Sequence, residues 1–342
     1  MSTEIEIASY AAAEISAQIN DWFKEAEDAR VTSVDNCRVI IAPHGESHSS
    51  GRTAAFAYSA VNMSQYKRVI ILSPYHLQTS TMCCHSRFDA YDTPFGQLRV
   101  DNEVNDYLKM FRAVSISRGL LEEDDFSFER QMTFIKKAAK DHDIRVVPIR
   151  IGVGFPFQRM EDHVGFHLSR YIKEPDTLFV VSSNFTRWGR CVDDYILKHP
   201  YLFPMTISVF DQCGQSNSAY TYYRPSPQAE GRMLNNTNGV DTSKGEALIH
   251  ESIAGLDYEA WDILKDALSD PHQAHTKWTE YLNKTENTIC GRHSVGVLLG
   301  ALRHANLEYK GEVVLTHYEQ SCTATTSVVD CSVSYLAGYM AF

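Results

Sequence analysis

The chain has 342 residues, 44% of them hydrophobic and 22% charged, a composition that excludes wholesale disorder. Acidic residues outnumber basic ones 43 to 32, giving a formal charge of −11. That excludes a general nucleic-acid binder, which needs a basic footprint. The longest apolar runs, such as Leu178-Phe179-Val180-Val181, fall far short of the roughly 20 residues of a membrane helix, so no membrane span is expected.

Residues 8–24 read as an amphipathic docking helix, with Ile15, Ile19, Trp22 and Phe23 on one face. Four short runs rich in β-branched residues follow, at 38–42, 68–72, 144–149 and 178–183. Continuous apolar runs of this length predict strands buried on both faces, the signature of a parallel sheet. Helical stretches at 53–63, 129–140 and 162–172 separate them. The order predicts an α/β fold, a mostly parallel central sheet flanked by helices. Residues 214–245 are rich in Ser, Asn, Gly, Tyr and Pro and predict a surface insertion. Helical periodicity resumes at 247–265 and 277–284. No internal repeat is present, and the chain is read as a single domain over 1–342.

In open α/β sheets, ligands bind just beyond the carboxyl ends of the strands. The first run ends in Ala42-Pro43-His44 and the second in Ser73-Pro74-Tyr75-His76. Two strands thus deliver a histidine shortly past a proline, which makes His44 and His76 candidate ligands. The fourth run ends in Ser183-Asn184-Phe185-Thr186-Arg187-Trp188. A third candidate segment is Thr288-Ile289-Cys290-Gly291-Arg292-His293. Asn287 or Thr288 is placed to cap a helix whose first turn holds Cys290, where the helix end stabilises a thiolate. A buried structural cysteine packing through Val295, Leu298 and Leu299 is the other reading. Cys83-Cys84-His85 is expected on a surface strand. His163 and His167, like His272 and His275, are expected to face solvent. Eight cysteines without a CxxC pair, in a chain with no visible leader, predict reduced thiols and a cytoplasmic protein.

At these segments the sequence resembles the Memo family. The matching stretches are Ile40-Ile41-Ala42-Pro43-His44, Ile71-Leu72-Ser73-Pro74-Tyr75-His76, 178–185, Trp188-Gly189, Asn287-Thr288-Ile289-Cys290-Gly291-Arg292-His293 and Ser332-Val333-Ser334-Tyr335-Leu336-Ala337-Gly338. The resemblance implies a domain similar to the class III non-haem iron extradiol dioxygenases, and a role in cell motility and signalling. It further implies a pocket in which His44, His76 and Cys290 hold a metal, iron or copper, with zinc as a third fit. Two imidazoles and a thiolate tilt toward copper.

The sequence departs from the family around that pocket. Asn184 and Arg187 stand where an acid and a histidine are expected, Leu77 replaces a second histidine, and Phe126 replaces another. Of a Glu-His-Ser-x-Glu-x-His segment only Ser127 and Glu129 persist. A ring-cleaving dioxygenase needs a proton-moving group beside its iron, so that activity is not expected. Arg187 and Arg292, with Asn184, His293 and Glu129 as further pocket candidates, instead suit an anion such as a carboxylate or phosphate; Arg187 in a structural ion pair is the competing reading. Three functions follow: a binding or signalling protein with a phosphopeptide or protein partner, a metal-dependent redox enzyme, and a cysteine nucleophile with a histidine base. The sequence sets no oligomeric state.

Overall fold

The computed structural model describes residues 2–45, 47–75, 83–116, 126–152, 157–189, 222–226, 229–235, 238–324 and 331–342. In chain order these form α1 (Ser2–Asp28), β1 (Cys37–Ala42), α2 (Ser47–Ser59), β2 (Arg68–Pro74), β3 (Cys84–His85), β4 (Ala90–Thr93), β5 (Gly96–Val100), α3 (Asn102–Met110), β6 (Ser115–Ile116), α4 (Phe126–Ala139) and β7 (Arg145–Ile151). They continue with α5 (Phe157–Ile172), β8 (Thr177–Ser182), β9 (Arg187–Trp188), β10 (Tyr222–Tyr223), β11 (Arg232–Met233), α6 (Ile249–Lys265), α7 (Pro271–Thr285), α8 (Arg292–Ala305), β12 (Glu312–Gln320) and β13 (Ser332–Ala341).

The four apolar runs form the middle of one large sheet, in the order β1-β8-β2-β7 and all parallel. The margins are mixed. β13 runs antiparallel to β1, and β12 antiparallel to β13; on the other side β3 pairs antiparallel with β7. The sheet is therefore parallel at its centre, antiparallel at the β12–β13 border, and mixed beyond β7, where β5 and β6 pair in parallel with β7 and β3 respectively.

Successive side chains of a strand point to opposite faces, and here both faces are covered. Val39, Ile41, Ile70, Leu72, Phe179 and Val181 pack with α3, α5, α6, α7 and α8. Ile40, Ala42, Val69, Ile71, Leu178 and Val180 pack with α1, α2 and α4. Each such Val, Leu, Ile or Phe side chain, fully buried, contributes about 1.5–3 kcal/mol, which is why the runs are apolar without alternation. The amphipathic first helix docks as expected: Ile19 is buried, and Trp22 lies so close to Gly51 that a Cβ there would stand 2.2 Å from its ring.

Part of the predicted surface insertion is packed. Tyr223 and Leu234, on or beside the β10–β11 pair, are buried with Trp188, Ile249 and Ile253. Cys83, Cys84 and His85 are buried as well, because β3 joins the sheet beside β7. Cys37, Cys83, Cys84, Cys290 and Cys322 are free thiols. Cys331 is disulfide-bonded, which departs from the expectation of reduced thiols throughout. Among the described residues no helix is long and apolar enough to cross a membrane.

Candidate functional site

Because β1 and β8 are parallel neighbours, their carboxyl ends leave the sheet side by side. The ladder continues one step past the strands, where Ser183 N donates to Ala42 O at 3.0 Å. His44 follows, only 3% exposed. Its backbone N–H donates to Asn184 Oδ1 at 2.9 Å, and its Nδ1 lies 2.9 Å from Ser182 Oγ.

Donor accounting fixes this imidazole. Gln131 Nε2, from α4, donates to Ser182 Oγ at 2.9 Å, and Ser182 Oγ donates to Ser127 O at 3.1 Å. The hydroxyl has one proton, already used, so it accepts from His44 Nδ1–H. Nε2 of His44 is thereby left with its lone pair. Gln131 is itself held, since its Oε1 accepts from Tyr58 OH at 2.6 Å and its amide also donates to Pro43 O at 3.1 Å.

His44 Nε2 faces Cys290. The sulfur lies 3.3 Å from it and accepts the backbone N–H of Asn184 at 3.1 Å. Cys290 reaches this position because Gly291 lies flat on the end of β8. A Cβ at Gly291 would stand 2.4 Å from Ser183 Cβ, and its N–H donates to Ser183 Oγ at 3.1 Å. Burial pushes the Cys290 thiol up from its ordinary value; the nearby Arg187 guanidinium, the Asn184 N–H, Ser183 and Arg292 oppose that without cancelling it.

The expected capping arrangement is not the one found. The helix starts at Arg292 with Gly291 as its N-cap residue, so Cys290 precedes the first turn. Asn287 and Thr288 have other tasks. Thr288 Oγ1 accepts from Arg187 N at 2.6 Å and donates to Arg187 O at 3.0 Å. Asn287 bonds Thr186 Oγ1 and Tyr281 OH. Below them Asp257, fully buried on α6, accepts from Thr186 N at 3.1 Å, Thr186 Oγ1 at 2.6 Å and Tyr318 OH at 2.9 Å. Burial raises its carboxyl to about 6 against these bonds.

This frame, with β9 paired to β13, sets Arg187 near Cys290. No ion pair of Arg187 or Arg292 is present among the described residues. Among the described residues, Arg187 Nε and Arg292 Nη2 are enclosed without a hydrogen-bond acceptor, while Arg292 Nε donates to Ile289 O at 3.1 Å. His293 turns to a different partner, Glu161, 2.6 Å from its Nδ1. His76 and the side chain of Glu129 lie outside the described residues. The structure therefore joins His44, Asn184 and Cys290 by direct contact, with Arg187 and Arg292 flanking the sulfur.

Sequence reading missed Gln131, Ser182, Asp257, Glu161 and His275. His275, expected in solvent, is 6% exposed and bonded to Glu161; His167 is also buried, against Tyr107 and Phe111. The available signal was a lone acid inside the apolar face of α5, a position where Glu is rarely buried unless paired.

Comparison with known proteins identifies the family of the chain. The sequence profile described as Memo-like protein matches residues 8–339. Protein MEMO1 of Xenopus laevis is 32% identical over 338 residues, covering 96% of this chain and 93% of the relative. Protein MEMO1 of Homo sapiens is 30% identical over 331 residues, covering 95% and 91%. The crystal structure of an uncharacterized Escherichia coli K12 protein matches at TM-score 0.39 and 12% identity, covering 87% of this chain and 99% of that one, too loose a likeness to carry any argument. The chain belongs to the Memo family.

Proposed function

We propose that this Memo-family chain is a binding and signalling protein whose pocket holds one metal ion on His44, Cys290 and His76, and that it does not cleave aromatic rings. The supporting observation is the 3.3 Å approach of Cys290 Sγ to His44 Nε2. Metal bonds of about 2.3 Å to sulfur and 2.0 Å to nitrogen place two ligands of a tetrahedral centre roughly 3.5 Å apart. The hydrogen bond on His44 Nδ1 leaves Nε2 as a donor, the arrangement that orients ligating histidines. The described residues fit such an ion with two donors; among them no group of three His, Cys, Asp or Glu forms a complete site, and the third proposed ligand, His76, lies outside them. Sulfur favours copper, with iron and zinc next; such an ion supplies Lewis-acid or, for copper and iron, one-electron chemistry.

The absence of ring cleavage rests on Phe126 and Arg187 standing where the family's proton-moving histidines are expected. Arg187 Nε and Arg292 Nη2, enclosed without acceptors, support an anionic partner such as a phosphopeptide, since desolvated guanidinium donors are costly until paired. The five thiols free among the described residues fit a cytoplasmic location, with Cys331 the exception. A cysteine nucleophile would use the same Cys290–His44 contact, but burial pushes that thiol up, and without a cation to displace its proton the sulfur is a poor nucleophile.

Metal analysis of protein purified without tag or chelator tests the centre. About one equivalent of copper, iron or zinc, lost in Cys290→Ala, supports it; less than about a tenth of an equivalent ends it. Turnover of a redox substrate by the loaded protein would move the reading to the alternative, a metal-dependent redox enzyme. Equal capture of a phosphopeptide and its unphosphorylated control would remove the anionic partner.

A further inference from the structure

Three helices meet on one carboxylate. Glu161 of α5, 4% exposed, lies between His275 of α7 and His293 of α8. Its Oε2 is 2.6 Å from His275 Nε2 and its Oε1 is 2.6 Å from His293 Nδ1. Gly296 makes the room, for a Cβ there would stand 2.3 Å from the carboxyl carbon of Glu161. Hydrogen bonds from both imidazoles hold this carboxyl below its usual range despite burial.

An ionised carboxylate only accepts. Each imidazole must therefore donate, so His293 carries its proton on Nδ1 and His275 on Nε2. Among the described residues His293 Nε2 has no hydrogen-bond partner, and the side chain is 16% exposed. Phe157 stacks on the ring at 4.7 Å. The other charged and titratable groups around it are engaged elsewhere: Asp162 by Arg303 and His304, Arg292 Nε by Ile289 O, and Cys83 by Met160 Sδ. His293 opens α8 three residues after Cys290, at the carboxyl edge of the sheet.

We propose that His293 is the proton-transfer residue of this edge and Glu161 its positioning residue, the two acting on a hydroxyl group or water of a bound ligand. The O–H bond breaks, an N–H bond forms at Nε2, and the imidazolium charge is balanced by Glu161, which stays ionised throughout. His275 fixes the carboxylate from the far side. The inference goes beyond the proposed metal centre and stands with or without an ion on His44 and Cys290. It does not restore ring cleavage, because this imidazole sits on a different element from the positions now held by Phe126 and Arg187.

The test is the protonation pattern of the full chain. Nitrogen-15 histidine spectra of the wild type, assigned with His293→Gln, are expected to show hydrogen on Nδ1 of neutral His293. Hydrogen on Nε2 would overturn the proposal, because that nitrogen could then accept nothing. Diethyl pyrocarbonate is expected to modify His293 at Nε2 and to spare His275; failure to modify His293 would also overturn it. Glu161→Ala removes the acceptor that holds the proton on Nδ1, so the His293 ring returns to the Nε2–H tautomer that a free histidine favours. Modification of His293 at Nε2 is then expected to slow severalfold at pH 8. An unchanged rate, with hydrogen still on Nδ1 of His293 in folded Glu161→Ala protein, would overturn the positioning role of Glu161. Metal content is read separately, so failure here leaves the metal reading intact.

Discussion

Asn184 donates its backbone N–H to Cys290 Sγ at 3.1 Å. The same residue accepts the backbone N–H of His44 on its side-chain oxygen at 2.9 Å. One residue past β8 thus sets the positions of both the sulfur and the imidazole. Asn184→Ala leaves a buried N–H at His44 without its acceptor, and a loss of about 1–3 kcal/mol in urea unfolding is expected. Asn184→Asp keeps an acceptor there and is expected to cost less. Equal midpoints and slopes for wild type and Asn184→Ala would show that this bond does not contribute.

Arg187 acts on Cys290 through charge. Its guanidinium is the largest influence opposing burial of the thiol. Arg187→Ala therefore raises the thiol further, lowers the thiolate fraction and slows alkylation of Cys290 by iodoacetamide at pH 8, by severalfold. Arg187→Lys keeps a charge and recovers part of the rate. The measurement is peptide mapping against the other free thiols.

Asp257 gives the protein a pH signature. Its carboxyl rises from 3.8 to about 6 on folding. The folded state then binds more protons than the unfolded state between those values, and stability falls as pH rises across them. The contribution is full below about pH 4 and lost above about pH 6, and amounts to at most about 3 kcal/mol. Asp257→Asn is expected to flatten this slope in urea unfolding between pH 4 and 7. A slope unchanged by the substitution would refute the assignment.

Gly165 and Gly296 set the distance between α5 and α8. A Cβ on Gly165 would stand 2.7 Å from Ala301 N, against backbone that cannot rotate away. Gly165→Ala is expected to cost about 1–3 kcal/mol by overpacking. Gly296→Ala meets the Glu161 carboxyl group instead, and its expected effect includes loss of the paired imidazole donors in the histidine spectrum.

The four central strands were legible because burial on both faces writes itself as unbroken apolar runs, as in Val69-Ile70-Ile71-Leu72. The antiparallel border was not. β12 reads Glu-Val-Val-Leu-Thr-His-Tyr-Glu-Gln, and its half-buried face weakens the apolar signal. His44 was marked by its place after β1, and Cys290 by the resemblance, but their contact spans 246 positions and has no local trace. The start of α8 was misplaced by three or four residues, because Asn287 and Thr288 look like caps, whereas Gly291 takes that place and Thr288 clasps Arg187. Glu161 and His275 lie 114 positions apart, and nothing near either one announces the other.

The chain Tyr58–Gln131–Ser182–His44 begins under α2, on the side of the sheet away from α8. A phenol there orients the amide, the amide orients the hydroxyl, and the hydroxyl decides which ring nitrogen meets the sulfur. Anything that docks against α2 or α4 and tugs on that phenol would retune the imidazole from behind, without ever touching the ring.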